Sequence, residues 1–165
     1  MKPIDLPNLL PKRLLVVRAN DRHELAMFDL AAEHALAGPL YVLDGGNCIN
    51  IYPLARALRQ RTASLSAALE NVRLARAFTC YQMLALLEGT QPDGAPVLVL
   101  DLLSTFYDES VPLFESQRLL ANALRQLMRL RIAAPLAVSA RLPNTAAAAR
   151  RPLYDTLIQT AEELC

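Results

Sequence analysis

Short apolar runs alternate along the chain with segments of helical periodicity. Residues 13–17, 40–44, 72–78, 97–102 and 136–139 read as strands. The run at 72–78 alternates apolar positions with Arg73 and Arg76, the pattern of a strand with one half-covered face. The run at 97–102 is apolar on both faces, as a central parallel strand is. Between the first two runs, Leu25, Phe28, Ala32, Ala35 and Leu36 recur at helical spacing. They follow the capping-box pattern Asp21 to Glu24, and Gly38-Pro39 closes the helix. Further helices are predicted at 53–61 with Pro53 in the first turn, at 64–70, at 80–88 capped by Thr79, at 113–131, and at 152–164. Leu120, Ala123, Leu124, Leu127 and Met128 form one apolar stripe; Leu153, Leu157, Ile158 and Ala161 form another. Strand–helix alternation of this kind implies a parallel sheet with helices on both faces.

Composition narrows the class. The 165 residues suit one domain, 1–165, with 1–12 as an N-terminal extension. Hydrophobic residues make up 53%, yet no apolar run approaches the ~20 residues of a spanning helix. The first ten residues lack the pattern of a signal peptide, so a cytoplasmic protein without a membrane partner is expected. A net charge of +1 gives no global field toward nucleic acid. Cys48, Cys80 and Cys165 are odd in number and far apart, which suits reduced thiols rather than disulfides or zinc. His23 and His34 have no metal-ligand spacing, Ser104 lacks a nucleophile elbow, and Ser139 has no base nearby in sequence.

One run carries a chemical signature. Pro96-Val97-Leu98-Val99-Leu100-Asp101 is apolar and ends in a lone carboxylate, which is how a Walker-B strand reads. In phosphate-loop ATPases that Asp holds the magnesium of ATP through water. No G-x-x-x-x-G-K-[ST] motif occurs in the chain.

Three stretches together resemble the core of RecA/RadA-type recombinases. The first is Tyr41-Val42-Leu43-Asp44-Gly45-Gly46. The second, and most specific, is Asn71-Val72-Arg73-Leu74-Ala75-Arg76-Ala77-Phe78-Thr79, which resembles the family's N-V-x-x-A-R-A-F strand. The third is Val97 to Leu103, followed by Ser104-Thr105-Phe106-Tyr107. The likeness spans about residues 13 to 151. It implies a three-layer RecA-like P-loop-NTPase fold with a parallel sheet of about five strands in the order 3-2-4-5-1. The family core has further strands, so the resemblance implies a fold truncated after strand five, with strand one at an edge that a partner or a second copy covers.

The resemblance also shows what is missing. The phosphate loop should follow strand one, where the chain has Arg18, Asn20, Asp21 and Arg22, and no glycine precedes Gly38. Asp21 and Glu24 put negative charge where phosphate would sit. The family's catalytic Glu falls on Gly46, and its polar sensor falls at Ser139-Ala140-Arg141. No nucleotide site, catalytic residue or cofactor is therefore expected. Asp101 is a vestigial metal position, or a strand-end carboxylate capping nearby backbone N–H groups. The family's DNA loops follow strands four and five. Here the first is acidic (Asp108, Glu109), and the second carries Arg141, Arg150 and Arg151, which either contact single-stranded DNA weakly or form a solvated loop. A solvated face is expected for Arg118, Arg125 and Arg129. The expectation is a pseudo-ATPase, a non-catalytic paralogue in DNA recombination or repair that binds a recombinase, another paralogue or itself. The alternative is weak nucleotide or single-stranded DNA binding without hydrolysis.

Overall fold

The computed structural model describes residues 14–18, 23–47 and 50–163. The expected extension at 1–12, the loop residues Asn20, Asp21 and Arg22, and Cys48 and Cys165 lie outside them. Five parallel strands form one sheet: β1 (Leu14–Arg18), β2 (Leu40–Asp44), β3 (Val72–Arg76), β4 (Val97–Leu100) and β5 (Leu136–Ala140). Their order is β1-β5-β4-β2-β3, which read from the opposite edge is 3-2-4-5-1. The helices are α1 (His23–Ala37), α2 (Ile51–Arg59), α3 (Leu65–Glu70), α4 (Cys80–Gly89), α5 (Leu113–Ala133) and α6 (Arg151–Glu163).

The strand residues alternate between two cores, because successive side chains leave opposite faces of a sheet. Leu40, Val42, Leu98, Leu100 and Ala137 pack with α1, α2 and α3. Leu43, Val97, Val99, Leu136 and Val138 pack with α4, α5 and α6. Both faces are covered, which is why β4 and β5 are buried along their whole lengths.

Local chemistry sets the helix ends. Asn50 Oδ1 accepts from the Tyr52 N–H at 3.1 Å, so α2 begins two residues before Pro53. Thr79 Oγ1 accepts from the Gln82 N–H at 3.1 Å, and Gln82 Oε1 accepts from the Phe78 N–H at 2.8 Å, a reciprocal cap that starts α4. The other end of α4 is closed from α5. Arg129 donates to the carbonyls of Leu87 at 2.8 Å and Thr90 at 3.2 Å, which corrects its placement on a solvated face. Arg118 stays on that face, paired with Glu115 at 2.7 Å, and Arg125 there donates to Asn122.

Strand four is shorter than the sequence run predicts. It ends at Leu100 because Asp101 has φ +49°, a left-handed conformation that breaks the ladder. The loop expected from 141 to 151 holds a 3-10 turn, Ala148–Arg150, which leads straight into α6.

Candidate functional site

The carboxyl ends of the central strands carry two buried carboxylates. Asp44 ends β2 and Asp101 follows β4; their exposures are 0% and 1%. Each is matched by a guanidinium from the neighbouring segment. Asp44 Oδ2 accepts from Arg76 Nε at 3.0 Å, and Oδ1 accepts from the Gly46 N–H at 3.1 Å. Asp44 and Arg76 are register partners across β2 and β3, so the sheet itself sets this pair. Asp101 Oδ2 accepts from Arg141 Nε at 2.8 Å and also from Arg141 Nη2. Asp101 Oδ1 accepts from the Arg141 backbone N–H at 3.3 Å, and the Asp101 N–H donates to Ser139 Oγ at 2.8 Å. The left-handed turn at Asp101 is thus held by β5 and by the residue after it.

Gly45 lies against both strands. Its N–H donates to the Leu100 carbonyl at 2.8 Å. A Cβ there would stand 2.7 Å from Met83 Cε and 2.9 Å from the Asp101 carbonyl oxygen, so only glycine fits.

A cleft of about 620 Å³ opens beside Asp101. Its lining includes Phe78, Thr105, Tyr107, Asp108, Arg141 and Leu142. Tyr107 donates from its hydroxyl to the Arg141 carbonyl at 2.6 Å, tying the segment after β4 to the segment after β5. Burial, with the Asp101 charge adding to it, pushes the Tyr107 phenol well above its ordinary value, so it remains a donor through neutral pH. Asp108 is held below the usual carboxylate range by hydrogen bonds from Ser110. Phe78 and Leu142 stand exposed at the rim.

The three arginines proposed to meet DNA have separate fates. Arg141 is engaged by Asp101. Arg150 is buried and donates to Ser116 Oγ at 2.9 Å and the Val111 carbonyl at 2.5 Å, which corrects its assignment as a phosphate contact. It fastens the turn before α6 to the start of α5. Arg151 is exposed, pairs with Asp155 at 2.9 Å and lies over the Tyr154 ring at 5.8 Å. Arg18 sits exposed at the end of β1. Cys80 is buried, and that burial raises its thiol pKa.

A magnesium–nucleotide does not fit this donor set. The Asp101 carboxylate that would face the metal is closed by the Arg141 guanidinium and N–H, and a cation beside it would meet a fixed positive charge. Among the described residues, no group of three or more His, Cys, Asp or Glu is placed to hold a metal ion. The backbone capping expected of Asp101 is present at the Arg141 N–H; the ion pair to the Arg141 side chain is the feature the sequence reading lacked. Its one available signal was a strand-end Asp on β4 with an Arg just past the end of β5.

Fold and site define a parallel α/β protein with two guanidinium-closed carboxylates at the carboxyl edge of its sheet. No protein-family model and no curated protein matches the chain. No described helix is long and apolar enough to cross a membrane.

Proposed function

We propose that this chain is a non-catalytic RecA-like paralogue, acting as a protein-interaction or accessory subunit in DNA recombination or repair. The observation that carries the reading is the Asp101–Arg141 pair. Asp101 lies at the end of the central strand, where a RecA-type ATPase keeps a carboxylate free for hydrated magnesium. Here the carboxylate is spent on a guanidinium. The chain also has Gly46 where the resemblance puts a catalytic Glu, and lacks a phosphate-loop motif. The strand order, with β4 central and β1 at one edge, further supports the reading.

Such a protein works by docking onto an active recombinase, another paralogue or a second copy of itself. Two measurements on the purified protein test this. Titration calorimetry with ATP and magnesium should give no binding heat. Light scattering after mixing with a RecA-type recombinase from the same source should show a complex. ATP turnover by the wild-type protein, or a strict monomer that forms no complex, would overturn the proposal.

A further inference from the structure

The cleft beside Asp101 has a chemistry of its own. Of the charged residues that line it, two are carboxylates (Asp101, Asp108) and one is a guanidinium (Arg141). Asp101 and Arg141 pair with each other, and Arg150, buried against Ser116 and Val111, keeps its positive charge near Asp108. By count the lining's excess charge is the one carboxylate of Asp108, which is exposed and negative, with the Arg150 charge offsetting part of it. Phe78 lines the same cleft with its side chain exposed, and Tyr107 contributes a second aromatic ring. An aromatic face beside a solvated carboxylate is the environment that attracts an organic cation, through the ring quadrupole and the charge together.

A second observation bears on the same cleft. Thr105 lines the cleft and is 6% exposed, yet its Oγ1 has no hydrogen-bond partner among the described residues. A buried hydroxyl left unpaired is costly and is normally satisfied by something. The volume, about 620 Å³, is enough for a long side chain with part of its backbone.

We propose that this cleft receives an arginine or lysine side chain, flanked by apolar residues, from a protein partner. Phe78 and Tyr107 flank the cation, Asp108 supplies the charge, and the exposed Leu142 takes the apolar neighbour. This deepens the protein-interaction reading and rests on it for the partner's identity. It also assigns the cleft to a cation, so a cationic side chain should bind there better than a phosphate does.

The test is fluorescence anisotropy on the intact protein with a labelled Leu-Arg-Leu-Arg peptide. A Leu-Glu-Leu-Glu peptide and a labelled oligo-dT strand are run beside it. The cationic peptide should bind tightest and lose affinity with added salt. Phe78→Ala and Asp108→Asn should each weaken it about fivefold, with unchanged thermal melts because both side chains are at the surface. Equal or tighter binding of the glutamate peptide or the oligonucleotide overturns the proposal, as does unchanged binding in both variants. Capture of a recombinase unaffected by Phe78→Ala and Asp108→Asn would remove this cleft as the docking point and leave the accessory-subunit reading standing. Cleft-dependent peptide binding without any recombinase complex would do the reverse.

Discussion

The two pairs that close a buried carboxylate, Asp44–Arg76 and Asp101–Arg141, look alike in chemistry and differ in how they are built. Asp44 and Arg76 stand opposite each other on paired strands, so the ladder that forms β2 and β3 brings them together. Asp101 and Arg141 both lie just beyond their strands, and their meeting needs a left-handed turn at Asp101 and a tether from Tyr107. The first pair comes with the secondary structure. The second is a property of two loops held in one geometry.

The largest effect should come from the loop-built pair. Arg141→Met leaves a carboxylate that is 1% exposed without its cation, and should cost about 3 kcal/mol of unfolding free energy in urea. Arg141→Met joined to Asp101→Asn should recover most of that loss, since Asn removes the charge and tolerates the left-handed turn. If the single variant melts like wild type, the pair is not closed in solution. Gly45→Ala should come next, at about 2 kcal/mol, because the added methyl meets the Asp101 carbonyl and Met83. Since Gly45 touches both strands, hydrogen exchange in this variant should rise on β2 and β4 together; a rise on β2 alone would separate the two pairs.

Arg76→Met should cost about 2 kcal/mol, less than Arg141→Met, because the β2–β3 ladder holds the backbone around Asp44 whichever side chain follows, whereas the Asp101 turn is held by loop contacts. A cost larger than that of Arg141→Met would invert the comparison. The smallest change is Tyr107→Phe, which removes a 2.6 Å hydrogen bond to the Arg141 carbonyl and should cost about 1 kcal/mol. Combined with Arg141→Met its cost should shrink, since both act on the same loop contact. Strict additivity of the two would show that Tyr107 does not position Arg141.

Much of the sheet was legible because strands buried on both faces print a continuous apolar run, as at Val97–Leu100. The Thr79 cap of α4 was legible too, because a cap is a local hydrogen bond. The solvated reading of Arg129 and the phosphate reading of Arg150 went wrong for one reason. An arginine's reach is long enough to find a carbonyl or hydroxyl from an element about 34 to 42 residues away in the chain, and helical spacing carries no trace of that.

By itself the sequence determined the alternation of strands and helices, the parallel sheet and the missing phosphate loop, because periodicity and glycine placement are properties of neighbouring residues. Only the tertiary structure decided what Asp101 does. Its role depends on a side chain 40 residues later, and a carboxylate leaves water only when the folded sheet brings a guanidinium within hydrogen-bond distance of it.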